Sequence, residues 1–186
     1  MPDPRDSQMK TRSRFDAPLR RTTDADGGWA FVLLPRDASA RLPRRGRTTI
    51  VGTINGHAFS ALLEPDGQKG HWLRVDRSLL DVCGAAVGDV VRFEIEAPAC
   101  EPDPLLPPDL REALATSDAA MSTWGATTTI ARVDWIHWIE SAKQATTRAK
   151  RIRDALDMLS CGKQRVCCFD NSGFYSKAFR APEADG

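Results

Sequence analysis

The sequence of 186 residues lacks the motifs that mark the commonest nucleotide and hydrolase sites. It contains no G-x-G-x-x-G, no G-x-x-x-x-G-K-[ST] and no G-x-S-x-G, so the usual sequence routes to dinucleotide, nucleotide and serine-hydrolase chemistry are absent. Its three histidines, His57, His71 and His137, are scattered and do not have the spacing of metal ligands. We therefore expect no metal and no cofactor, and we lean towards a protein that is not an enzyme.

Long apolar runs and an excess of one charge are also missing. No segment approaches the roughly 18 apolar residues of a membrane span, and the basic N-terminal residues are not followed by the apolar stretch of a secretory signal. The 26 basic and 25 acidic residues leave a net charge of +1, which does not predict strong non-specific binding to nucleic acid. Five cysteines, two of them adjacent as Cys167-Cys168, fit free thiols in a reducing compartment. We expect a cytoplasmic protein without a membrane partner.

Short extended patterns between residues 27 and 97 predict a small β-barrel domain. The clearest signal is Asn55-Gly56, which separates two extended runs and favours a type I′ hairpin turn, because both central residues of that turn need positive φ. The expected strands are 29–34, 47–54, 57–63, 71–75 and 90–96. A connector or short helical turn is expected at 36–45 and a short helix at 77–83. Closure into a barrel removes the exposed edges of such a sheet.

The remaining segments differ in composition from the predicted barrel. Residues 1–26 mix polar residues and prolines without an apolar period, which predicts a flexible tail. Residues 98–108 hold five prolines among acidic residues and are interpreted as a stiff linker. Residues 109–165 change to a helical period, and residues 166–186 are expected to be an irregular tail. The predicted fold class is α+β with two domains, a small closed β-barrel followed by an all-α helical module.

Three tryptophans lie in the predicted helical module, Trp124, Trp135 and Trp138. Such a group can form a stacking platform for bases or sugars. Large aromatic side chains in a helical region are more often part of the core, because each buries a large apolar area. We interpret them as core residues.

The last predicted helix combines a helical period with a local excess of positive charge. It is expected to begin after Thr146 or Thr147 and to end near Cys161-Gly162. Arg148 and Arg151 are one turn apart and could hold a phosphate or carboxylate, with Thr147 at the helix N-terminus and Lys163 entering from the next loop. The alternative is that these arginines lie along the surface and pair with carboxylates of a neighbouring helix or of the barrel.

Several motifs in this order resemble a known pair of bacterial domains. The first set resembles a small barrel domain of unknown function, on Trp29, Pro35, Arg45-Gly46-Arg47, Val51-Gly52-Thr53-Ile54-Asn55-Gly56 and Val87-Gly88-Asp89-Val90-Val91. The second set resembles the YdeI/OmpD-associated module, also called the bacteriocin-protection family, on Ala142-Lys143, Thr147-Arg148, Arg151-Ile152, Leu159 and Gly162-Lys163. The resemblance implies a double-split barrel, distantly like AbrB-type barrels, followed by a small helical module. It brings no catalytic residue with it.

Three functional hypotheses follow. The first is a non-enzymatic stress- or bacteriocin-protection protein that binds an unknown protein or a small anionic ligand. The second, less favoured, is an AbrB-like nucleic-acid-binding regulator whose binding weakens steeply with salt, and its phosphate contacts would be Arg41, Arg44, Arg45 and Arg47. The third is an enzyme of unrecognised chemistry between the domains, which predicts a deep pocket containing Arg148 and Arg151 beside a group with an abnormal pKa.

Overall fold

The computed structural model describes residues 12–23, 28–166 and 180–184. The chain divides after Cys100 into two units. The first contains the described residues up to Cys100 together with 180–184, and the second contains residues 101–166. Within the described part of the chain, no helix combines the length and the apolar character that a membrane crossing requires.

The first unit is a nearly closed antiparallel barrel. Its strands are β1 (Ser13–Pro18), β2 (Arg20–Arg21), β3 (Ala30–Leu33), β4 (Thr48–Ile54), β5 (His57–Pro65), β6 (His71–Val75) and β7 (Val90–Glu96). Two short helices accompany them, α1 (Arg36–Ala40) and α2 (Arg77–Cys83). The spatial order is β1-β7-β4-β5-β6-β3-β2. The first and last strands of this order are separated in sequence by Leu19 alone, which brings the two edges of the sheet together.

Alternating apolar side chains fill the barrel. In the β3–β6 pair, Ala30 faces Val75 and Val32 faces Leu73, and all four are buried. The other strands contribute further buried residues to the same core, Ala17, Ile50, Ile54, Leu63, Val91, Phe93 and Ile95. The ring of Phe93 stacks on Phe15 with centroids 5.3 Å apart and meets Phe59 edge-on at 6.3 Å. A period of two thus places one face of each strand inside.

Two glycines in the β4–β5 hairpin are required for different structural reasons. Gly56 has φ of 86° beside Asn55 at 47°, which are the two positive values of the predicted turn. At Gly52, an added Cβ would lie 1.9 Å from the carbonyl oxygen of Glu94. Strands β4 and β7 therefore approach each other here so closely that only glycine fits.

The prediction of a flexible tail over residues 1–26 is wrong for β1 and β2. β1 pairs with β7 from Ser13 opposite Ile95 to Pro18 opposite Val90. Its inward positions hold only one large apolar residue, Phe15, so the alternation is weak in sequence and the pairing is supplied by a strand far along the chain. Residues 1–11 and 24–26 of that predicted tail, and 167–179 and 185–186 of the predicted C-terminal tail, lie outside the described residues. Ala184 forms an isolated bridge with Thr22.

The second unit is a group of four helices. They are α3 (Pro108–Leu114), α4 (Asp118–Ala126), α5 (Thr129–Glu140) and α6 (Ala145–Ser160). The hydroxyl of Ser117 accepts the Ala120 amide at 3.2 Å to cap α4, and that of Thr128 caps α5. Helix α6 starts earlier than expected, since Gln144 rather than Thr146 or Thr147 is its N-cap residue and provides no side-chain cap. The predicted α+β fold of a barrel followed by helices is confirmed.

Helix α6 contacts each of the other three helices and closes their core. Ala155 and Leu159 bury its apolar face, while Ala149 near its start is exposed. Trp124, Trp135 and Trp138 are all buried, and the Trp135 indole N–H donates to the Gln164 carbonyl at 3.3 Å. The tryptophans are therefore core residues, as predicted.

Candidate functional site

Arg148, on the second turn of α6, is joined to Asp109, on the first turn of α3. Its Nε lies 2.6 Å from Oδ2 and its Nη2 lies 2.9 Å from Oδ1, so the guanidinium binds the carboxylate with two parallel hydrogen bonds. The side chains are 29% and 44% exposed. The hydrogen bond from Arg148 lowers the pKa of Asp109 although partial burial acts in the opposite direction. The carboxylate is therefore held ionised at neutral pH.

Arg151 is bound to the end of the preceding helix. Its Nη1 donates to the carbonyl of Trp138 and, at 2.9 Å, to the hydroxyl of Ser141. The guanidinium carbon also lies 5.4 Å from the centre of the Trp138 ring, which is cation–π geometry. The last carbonyls of a helix have no partner within it, so a cation at this point satisfies one of them and favours the helix dipole. Arg151 thus joins α6 to the C-terminus of α5.

Thr147 and Lys163 are the other two predicted anion ligands, and they do not both lie beside Arg148 and Arg151. Thr147 is half-buried and directly precedes Arg148. Lys163 is exposed and follows the opposite end of α6, where its amide donates to the Met158 carbonyl at 3.0 Å. The helix rise places Ser160 about 18 Å from Arg148 along the axis. The length of α6 therefore separates Lys163 from Arg148 and Arg151.

The four barrel arginines proposed as phosphate contacts are engaged within the protein. Arg47 is buried, and its Nε lies 2.9 Å from Oε2 of Glu64. Arg45 donates to the Lys69 carbonyl at 2.9 Å, and Arg41 donates to that of Arg12 at 3.4 Å. Arg44 also takes part in an interaction. A buried guanidinium such as Arg47 cannot reach the phosphates of a duplex, so the arrangement gives the regulator hypothesis no support.

A buried polar contact in the barrel was missed from the sequence. Nδ1 of His71 lies 2.5 Å from the Ser39 hydroxyl, and Nε2 lies 3.1 Å from the Gly46 carbonyl oxygen. A carbonyl only accepts, so Nε2 carries the proton and Nδ1 accepts from Ser39. Burial lowers the pKa of His71, against the effects of the Gly46 carbonyl and Asp66. His71 lies two and four residues before Leu73 and Val75, so the strand alternation places all three side chains on the same inward face. This spacing was the signal in the sequence for a buried histidine. The contact ties α1 and the following loop to β6.

An open groove of about 520 Å³ lies at the corner between β1 and β2. It is lined by Pro18, Leu19, Arg20, Arg21, Val87, Gly88 and Ala184. None of the predicted site residues lines it, so it is not the pocket with Arg148 and Arg151 that the enzyme hypothesis requires. Among the described residues, no group of three potential ligands from His, Cys, Asp and Glu could hold a metal ion.

Comparison with protein families finds one matching family model in each of the two units. Residues 15–95 match the model of a domain of unknown function, DUF1905, and residues 103–162 match the family described as bacteriocin-protection, YdeI or OmpD-associated. The second unit therefore carries a YdeI/OmpD-associated segment and the first unit a DUF1905 segment, in the order that the sequence resemblance predicts. The DUF1905 segment starts within β1, and the YdeI/OmpD-associated segment includes Arg148 and Arg151 but ends just before Lys163. No curated protein matches the chain.

Proposed function

We propose that this chain is a non-enzymatic, cytoplasmic binding protein that protects against bacteriocins or a related stress. Its partner is an anionic group, carried by a protein or a small molecule, that binds Arg148 and Arg151 on α6. The family description supports the protective role. The free thiols of Cys83, Cys100 and Cys161 fit a reducing compartment.

The observation that carries the proposal is the partly exposed bidentate pair of Arg148 and Asp109. A partly exposed ion pair contributes only about 0.2–1 kcal/mol, so an incoming anion with more than one acceptor can compete with Asp109. Because Asp109 stays ionised, the pair remains closed until such an anion arrives. Asp109 thus occupies the Arg148 guanidinium while no such anion is bound, and the anion can replace Asp109 when it arrives.

Arg151 supplies a second guanidinium whose orientation is already fixed. The Trp138 ring and the Ser141 hydroxyl hold it one turn away from Arg148 on the same side of α6. A side chain that is ordered before binding loses less conformational entropy when its partner arrives. The half-buried Thr147 adds a hydroxyl next to Arg148.

The test is survival of a bacteriocin-sensitive bacterial strain that expresses the full chain or one of its variants. We expect the wild type to raise survival and the Arg148→Gln/Arg151→Gln variant to lose this effect. The matched control is Lys150→Gln/Arg153→Gln, which removes the same charge from exposed positions of the same helix. Failure of the wild type to protect, or equal loss in the control, would contradict the proposal.

A further variant separates binding from folding. Asp109→Asn removes the internal competitor but leaves Arg148 in place. If Arg148 binds the partner, this variant keeps or strengthens protection even though it loses the ion pair. If Arg148 only stabilises the fold, Asp109→Asn and Arg148→Gln impair protection to the same degree.

A further inference from the structure

The groove at the β1–β2 corner is built around the buried Leu19. Leu19 is 1% exposed and is fixed on both sides, since its amide donates to the Asp89 carbonyl at 2.9 Å and its carbonyl accepts the Gly88 amide at 2.8 Å. Pro18 and Val87, which are both exposed, provide the apolar surface of the groove. The volume of about 520 Å³ is within the range of small-ligand sites.

Two arginines line the groove, and their side chains have no ion-pair or hydrogen-bond partner within the described ranges. Arg20 and Arg21 are both exposed, and within the described ranges neither side chain forms an ion pair or a hydrogen bond. Neighbouring arginines differ, since Arg14 pairs with Glu94 at 3.2 Å and Arg92 pairs with Asp16 at 3.1 Å. Within the described part of the chain, the guanidiniums of Arg20 and Arg21 at the groove therefore have no carboxylate partner.

The carboxylate of Asp89, which follows the lining residue Gly88, is held by its own turn. Asp89 follows the Val87-Gly88 turn, and its Oδ2 accepts the amide of Ala86 at 2.8 Å. This hydrogen bond holds the carboxylate in its own turn, which shapes the groove wall. The two exposed guanidiniums, unpaired within the described ranges, favour an anionic ligand.

We propose that the groove binds a small organic carboxylate with an apolar tail. The carboxylate is held by the guanidiniums of Arg20 and Arg21, which form strong charge-assisted hydrogen bonds with such groups. The tail lies against Pro18 and Val87, where burial of exposed apolar surface favours binding. This site belongs to the barrel and does not depend on the role proposed for Arg148 and Arg151.

The test is an NMR titration of the ¹⁵N-labelled full chain with hexanoate. We expect saturable shifts of the amides of Leu19, Arg20, Arg21, Val87 and Gly88. Acetate, which lacks the tail, and hexanamide, which lacks the charge, should each bind at least tenfold more weakly. Equal binding of either analogue, or shifts confined to other parts of the protein, would overturn the assignment.

Variants test the same contacts. Arg20→Gln/Arg21→Gln should raise the Kd for hexanoate at least tenfold, while the control Arg36→Gln/Arg153→Gln, which removes two exposed arginines elsewhere, should leave it unchanged. If the first variant does not fold, Val87→Asp provides the second test, because it places a carboxylate against the ligand and should also abolish binding. Unchanged affinity in a folded Arg20→Gln/Arg21→Gln or Val87→Asp variant would reject the site. Arg148→Gln/Arg151→Gln should bind hexanoate as the wild type does, whatever its effect on protection.

Discussion

Arg148 and Asp109, 39 residues apart in sequence, form a bidentate ion pair that joins α6 to α3. We expect a double-mutant cycle of Arg148→Ala and Asp109→Ala to give a coupling free energy of about 0.5–1 kcal/mol at pH 7, as for a partly exposed pair with good geometry. Urea denaturation of the wild type, the two single variants and the double variant measures this coupling free energy. The control cycle is Lys150 with Asp154, a more exposed pair within α6, for which about 0.3 kcal/mol is expected.

The Arg148–Asp109 coupling should also depend on pH in one direction. The folded-state pKa of Asp109 lies below its usual 3.8, so the folded state releases the proton more readily than the unfolded state. The stabilisation is therefore complete above pH 3.8 and is lost as the pH falls through the lowered folded value. A coupling that is the same at pH 7 and pH 3 would show that the carboxylate charge is not its source.

Arg47 and Glu64 form a more deeply buried pair, with side chains 2% and 21% exposed. Removing one partner leaves an uncompensated charge, so Arg47→Ala should lower the free energy of unfolding of the barrel by about 3 kcal/mol. The double replacement Arg47→Met/Glu64→Leu removes both charges and should cost clearly less. Urea denaturation followed through the NMR signals of barrel residues measures both. Equal losses in the two variants would mean that packing, rather than the unpaired charge, determines the effect.

The close approach of Gly52 to Glu94 predicts a strong effect of a single methyl group. Because the added Cβ would lie 1.9 Å from a backbone oxygen, Gly52→Ala must displace β4 from β7 and should cost at least about 2 kcal/mol of barrel stability. The matched control is Gly46→Ala, where an added Cβ meets nothing within 4 Å, and its effect should stay within about 0.5 kcal/mol. A Gly52→Ala protein as stable as this control would show that the strands can separate at little cost.

Local chemistry made most of the fold predictable. Asn55-Gly56 determines the hairpin because few other pairs accept two positive φ angles. β1 was missed because its partner β7 lies about 80 residues away and its own alternation is weak. Sequence propensity describes a segment by itself and does not include the strand that pairs with it.

The candidate site was less predictable because it depends on distances across the fold. The sequence allowed Arg148 either an external anion or a carboxylate of a neighbouring helix, and only the packing of α3 on α6 brings Asp109 into contact. Lys163 was grouped with Arg148 because both lie in one basic segment, although the length of α6 separates them. The Ser39–His71 contact and the groove at Leu19 likewise join segments that are distant in sequence.

His71 predicts a loss of barrel stability in mild acid. Burial lowers the folded-state pKa of its ring below the usual 6.5, while the Gly46 carbonyl and Asp66 oppose the shift and Arg45 adds to it. The unfolded state then binds the proton more readily, and protonation favours unfolding. The free energy of unfolding should therefore be constant above pH 6.5 and decrease as the pH falls from 6.5 towards the lowered value. Urea denaturation between pH 8 and pH 5, followed through NMR signals of β4 and β6, measures this slope.

Two variants identify His71 as the source of that slope. His71→Gln cannot be protonated and should remove the slope, at the cost of a lower stability at pH 8 because the geometry of the Ser39 and Gly46 contacts changes. His57→Gln, which alters an exposed histidine beside the hairpin turn, should retain it. If the slope persists in His71→Gln, another group titrates on unfolding. If it disappears in His57→Gln, the exposed histidine is responsible and the Ser39–His71 contact is insensitive to mild acid.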